Sequence, residues 1–203
     1  MKVIELRNST KCILFFISFL LLNINQAKAN SVSVKRTSSD STRTPSETIL
    51  LFLNWYKDVG IKTNYELVNN SLVQDSTMPY SVNFDETERF LNDLLNTQLI
   101  SLKYVNSMRK YFIECDQNFK DSPEFEGPPS GFDFDLILHS QDYDDDLLNL
   151  DKIKFKVYSK NRKEIKIIAF FPFGGKLIYT LSKYKSIWKI DAIETEYSSG
   201  IKL

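Results

Sequence analysis

The chain has 203 residues with 26 Lys+Arg against 26 Asp+Glu, and this neutrality gives no electrostatic reason to expect nucleic acid or an anionic membrane as partner. A single histidine, His139, and two cysteines exclude a multi-histidine or Cys-and-His zinc centre. The length suits one domain.

The N-terminus reads as an export signal. Lys2, Arg7 and Lys11 lead into an unbroken apolar run from Cys12 to Leu22, and Ala27-Lys28-Ala29 supplies small residues at the spacing signal peptidase reads. Residues 1–29 are expected to be cleaved before Asn30. The run stops at Asn23, short of the roughly 20 apolar residues a bilayer needs, which argues against an anchor, and Asn30 stands where a lipoprotein would need Cys. The remainder carries 22 Lys+Arg against 25 Asp+Glu in 174 residues, with Cys115 as its one thiol. No internal disulfide can form, so an apolar core must hold the fold.

Residues 30–44 are rich in Ser and Thr and have no large aromatic, the composition of a flexible leader. Asp40-Ser41-Thr42 and Asp75-Ser76-Thr77 resemble a short O-glycosylation signal, although such tripeptides are also common by chance. A single domain over 45–203 follows. Thr44-Pro45-Ser46-Glu47 opens a first helix with a capping box, and Gly60 should end it. Ile49, Leu50, Phe52, Leu53, Trp55 and Tyr56 leave it little polar surface, which points to core packing.

Asp85-Glu86-Thr87-Glu88 opens a second helix, and a third follows Ser101. Tyr104, Val105, Met108, Tyr111, Phe112, Cys115 and Phe119 step by three and four, which puts them on one face. A cysteine in that stripe, without an adjacent histidine, reads as a packing residue. After Gly127-Pro128-Pro129 the period changes to alternation: strands are expected over Phe132 to Gln141, around Ile153, Phe155 and Val157, and over Glu164 to Phe173, Lys176 to Lys183 and Ile187 to Thr195. Helices first and an antiparallel meander second make an α+β domain.

Charge is uneven within this frame. Asp116 to Asp151 holds eleven acids and one Lys, while Lys152 to Leu203 holds twelve bases and four acids. Either the acidic arm lies against its own basic strands, or the two face apart and steer a charged partner. Asp142, Asp144 and Asp146 alternate like the start of a calcium loop, yet Leu147 and Ile153 occupy the positions that want Gly and Glu, which leaves a solvated acidic turn as the other reading. His139 could act as a base with Asp135 four residues back on the same strand face. No nucleophile elbow or phosphate-cradling Gly loop accompanies it, and no cofactor motif is present.

Glu47 to Tyr56, Tyr80-Ser81-Val82-Asn83-Phe84, Phe132-Asp133-Phe134-Asp135 running into Ser140-Gln141-Asp142, and Trp188-Lys189-Ile190-Asp191 together resemble the exported bacterial proteins grouped as domain of unknown function 3828. The resemblance covers most of Glu47 to Glu194. It implies an NTF2-like or cystatin-like fold, with helices packed on a curved antiparallel sheet, in the periplasm or at the cell surface of a Gram-negative bacterium. It implies no reaction, and Ala192 stands where an acid would be common.

The expected function is a non-catalytic binding module that contacts an envelope component or a basic protein through Asp135, His139, Asp142, Asp144 and Asp146 or through an aromatic cleft. An inhibitor or immunity protein belongs to the same class. The alternatives are a small-molecule binder or enzyme with a pocket on the concave sheet face, and a structural envelope protein with a flat apolar patch.

Overall fold

Thr44 caps the first helix as its sequence dictates: Thr44 Oγ1 accepts from Glu47 N at 3.2 Å, and the Glu47 carboxylate accepts from Thr44 N at 2.7 Å. The computed structural model describes residues 43–71, 77–161 and 163–196, and this fold belongs to the unit that begins at Ser38. The expected signal peptide, the leader up to residue 42, Asp40-Ser41-Thr42 and Asp75-Ser76 lie outside the described residues.

Helix α1, Pro45–Trp55, widens into one π turn over Tyr56–Gly60. It buries Ile49, Phe52 and Leu53 completely. An unexpected pair of two-residue strands follows, β1 (Val68–Asn69) antiparallel to β2 (Ser81–Val82). Helix α2, Phe84–Asn96, is capped by Asn83 rather than opened at Asp85, and Asn83 Oδ1 accepts from Glu86 N at 3.3 Å. The shift puts Asp85 and Glu86 in the first turn, where negative charge suits the helix dipole.

Ser101 caps helix α3, Leu102–Asp121. Tyr104, Val105, Phe112, Cys115 and Phe119 are buried on its inner face, with Met108 and Tyr111 packed partly buried beside them. Asp116 is buried with them; its Oδ1 accepts from Val82 N at 3.1 Å and its Oδ2 pairs with Lys120 at 2.6 Å, which ties α3 to β2.

The strand expected over Phe132 to Gln141 is not formed. Asp135 Oδ1 accepts from the backbone N–H groups of Ile137 (2.9 Å) and Leu138 (2.6 Å), Asp135 N donates to the Ser140 carbonyl (3.0 Å), and His139 N donates to the Asp135 carbonyl (2.7 Å). The groups a ladder would use are consumed inside one turn, and His139 takes a φ of 51° that no strand permits. Asp135 and His139 therefore do not share a strand face. The acidic stretch after them, expected as a solvated turn, winds into the short helix α4, Asp144–Leu148, and a 3₁₀ turn over Leu150–Lys152.

Four strands complete the domain: β3 (Lys154–Lys160), β4 (Glu164–Phe170), β5 (Lys176–Tyr184) and β6 (Ile187–Glu194), an antiparallel meander in chain order. Asn161 makes the β3–β4 turn by accepting from Lys163 N and Glu164 N, at 2.9 and 2.7 Å. The protein is an α+β domain, with Ile165, Ile167, Ala169, Leu177, Tyr179, Leu181 and Ile190 of the sheet in the main core with the helices. The alternation of the strands turns Ile168 and Ile178 to the other face, where they form a second buried cluster with Phe170.

The two margins of the sheet differ. Leu99–Ser101 runs along β6, with Ser101 N donating to the Ile190 carbonyl (3.0 Å) and Ile190 N to the Leu99 carbonyl (2.8 Å). Strand β3 pairs only with β4 among the described residues. The expected inward alternation of β3 also fades along its length: Ile153 is buried, Phe155 partly buried and Val157 exposed.

Candidate functional site

The irregular segment between α3 and α4 has no ladder to hold it, so side chains do the work. Tyr80 Oη donates to the Gly127 carbonyl at 2.8 Å, Tyr111 Oη to the Gly131 carbonyl at 2.6 Å, and Tyr56 Oη to Asp135 Oδ2 at 2.5 Å. These phenols, from the approach to β2, from α3 and from the π turn, fasten the loop at four-residue intervals. Phe132 then stacks on Phe112 at 6.0 Å and on Phe119 at 6.2 Å, which seats the loop on α3.

Opposite this loop runs the extended segment after α1. Arg89 braces it: its guanidinium lies 4.5 Å from the centroid of the Tyr65 ring, donates to the Asn64 carbonyl at 2.8 Å and pairs with Glu86. Tyr65 also donates to Asp93 Oδ2 at 2.9 Å and meets Phe90 edge to face at 5.1 Å. Burial and the Asp93 carboxylate raise the Tyr65 phenol to about 12, so it stays a neutral donor.

Between the two segments lies a groove of about 570 Å³. Tyr65, Phe90, Phe132 and Phe134 give it aromatic walls, Lys62 and Glu66 add opposite charges to its lining, and Tyr56 and Asp135 border it together. None of its lining residues belongs to β3–β6. Burial raises the Asp135 carboxyl above its ordinary value, against the lowering effect of the Tyr56, Leu138 and Ile137 hydrogen bonds. Burial also raises Tyr56, and the adjacent Asp135 charge adds to it. Both Asp135 oxygens are committed to these partners, which makes it a positioning group rather than a free base.

The other residues singled out in the sequence are dispersed. His139 lines neither this groove nor the smaller cleft that holds Asp142 and Asp146. Its ring stacks on Phe134 at 6.1 Å, and burial lowers its pKa against the opposing pull of the Ile193 carbonyl and the Asp135 charge. Asp142 and Asp146 share a cleft of about 230 Å³ with Tyr143, Phe171, Phe173 and Lys176, where Asp146 Oδ1 accepts from Phe173 N at 3.1 Å. Asp144 stands exposed in the first turn of α4. Among the described residues no three of His, Cys, Asp and Glu converge to hold a metal ion.

Tyr56, Tyr65, Phe90, Phe132 and Phe134 were not singled out as site residues from sequence. Tyr56 and Phe90 carry the same signal as any core aromatic, and the motif containing Phe132 and Phe134 entered the sequence reading only through the family resemblance. Among the described residues no ion pair joins an acid of the Asp116–Asp151 arm to a lysine of the sheet; Lys176, for example, pairs with Glu196 at 3.9 Å. No helix of the described residues is long and apolar enough to cross a membrane. Comparison with protein-family models, with curated proteins and with solved structures gives no match.

Proposed function

We propose that this chain is an exported, non-catalytic binding module, and that the aromatic groove between the Gly60–Ser71 segment and the Pro129–Leu136 loop receives its ligand, a protein side-chain cluster or an envelope component. The observation that carries this reading is the groove itself. Its volume, about 570 Å³, lies within the range of roughly 300 to 1,000 Å³ typical of ligand clefts. Its walls are rings fixed by stacking and by tyrosine hydroxyls, so little ordering entropy opposes binding. Opposite charges on Lys62 and Glu66 beside the aromatic walls favour a largely apolar ligand with some polar groups over a highly charged one.

A ligand-fragment titration followed by amide NMR of the purified protein tests this. The expected result is a set of shifts confined to Gly60–Ser71, Phe90 and Pro129–Leu136. Shifts clustered instead on Asp142–Asp146 would overturn the groove as the binding site.

A second reading rests on a separate observation, the lack of ion pairs between the acidic arm and the sheet among the described residues. The arm then steers a basic protein partner. A pull-down from envelope extract at low and raised salt tests it, since charge-steered capture fades as the Debye length shortens.

A further inference from the structure

The open margin of the sheet carries an inference independent of the groove. A strand at an edge turns every second residue's N–H and C=O outward, ready to pair. The far margin, β6, is closed by Leu99–Ser101, whereas β3 has no strand on its outer side among the described residues. Along β3, Lys154, Lys156 and Ser159 are exposed, and Val157 and Tyr158 keep 55% and 48% of their surface in solvent. The register shift between Val157 and Ser159 makes Tyr158 a bulge, so the regular pairing run is Lys154–Val157.

Charge selects the occupant. Lysines on an edge repel a second copy of the same strand, since antiparallel pairing of β3 with β3 brings Lys against Lys. The same lysines attract carboxylates, and among the described residues neither Lys154 nor Lys156 is in an ion pair. Val157 and Tyr158 add apolar contact area beside them.

We propose that β3 is a docking edge for an extended, acidic segment of a partner protein, which adds to the sheet as a fifth strand along Lys154–Val157. Main-chain bonds supply the affinity, and Lys154 and Lys156 supply the preference for alternating acidic side chains. The edge shares no residue with the groove, so the two sites stand or fall separately.

The test uses two seven-residue probe peptides, matched to the seven residues of β3: one alternates Glu and Val, the other Lys and Val. Amide hydrogen exchange of the protein is followed with each. The Glu-Val peptide is expected to slow exchange across Lys154–Val157 by about tenfold or more, the Lys-Val peptide to leave it unchanged, and Lys154→Glu with Lys156→Glu to reverse the preference. Four outcomes would overturn the proposal: no protection by the Glu-Val peptide, equal protection by both peptides, protection confined to the groove, or protection of β3 by raising the protein's own concentration, which would make the occupant a second copy.

Discussion

The phenol of Tyr56 and the carboxylate of Asp135 meet across 79 positions of sequence. One residue ends the first helix and the other organises the loop that borders the groove. Tyr56→Phe removes the donor and leaves a shielded carboxylate oxygen without it. A hydrogen bond to a charged group contributes about 1.5–3 kcal/mol, and a loss of that size is expected in urea unfolding. Amide exchange of Asp135–Ser140 should accelerate in the same variant. An unchanged midpoint would mean that water replaces the phenol at no cost.

His139 and Asp135 give stability opposite pH dependences. Burial lowers His139 from its ordinary 6.5, so below that value the unfolded chain takes up a proton that the folded chain declines. The His139 contribution is complete above 6.5 and is lost as pH falls toward the lowered value. Asp135 is raised from 3.8, so the folded chain holds its proton longer, and its contribution declines as pH climbs from 3.8 through the raised value. His139→Asn keeps a side chain that tolerates positive φ and removes the first dependence only. In urea unfolding, stability at about pH 5 relative to that at about pH 7.5 should be higher for this variant than for the natural protein. An equal difference in both would assign the acid sensitivity elsewhere.

Tyr179 is fully buried, and its hydroxyl has no hydrogen-bond partner among the described residues. Burial raises its pKa, with the neighbouring Tyr104 and Asp135 adding to the effect. Leaving a polar group desolvated costs about 1–3 kcal/mol. Tyr179→Phe is therefore expected to hold or raise the melting temperature, against the usual direction for a core substitution. A clear fall would reveal an internal water bound to the hydroxyl.

Two glycines separate strain from crowding. Gly127 and Gly131 have φ of 80° and 84°; a Cβ at Gly127 meets nothing within 4 Å, whereas one at Gly131 lies 2.9 Å from Tyr111 Oη and 3.0 Å from Cys115 Sγ. Gly127→Ala should cost about 1 kcal/mol for the left-handed backbone alone. Gly131→Ala should cost about 1–3 kcal/mol more, because it drives the loop off Tyr111 and Cys115. Equal losses in thermal unfolding would mean that the α3 side chains yield freely.

Helices α1–α3 and the four strands β3–β6 were legible because each rests on local signals. Thr44 with Glu47 caps α1, Ser101 caps α3, and Asn161 and Gly174 mark turns between alternating runs. The groove was not legible, because its walls come from residues far apart in sequence whose local patterns look like ordinary core. The loop misled for a stated reason: Phe132, Phe134 and Leu136 alternate as a strand would, but the Asp135 carboxylate captures the two following N–H groups and bends the chain instead. The Val157 side chain failed the alternation rule because a period of two fixes which face a residue points to, not whether another layer reaches that far.

The tyrosine fastenings of the loop span 79, 47 and 20 positions. Contacts of such long range carry a loop-closure entropy that nearby helix and hairpin contacts avoid. The α1 and α3 helices and the β4–β5–β6 meander can each form from nearby contacts while the segment from Gly127 to Asp135 is still free. The loop wall of the proposed groove thus depends on contacts that helix and hairpin formation alone do not supply.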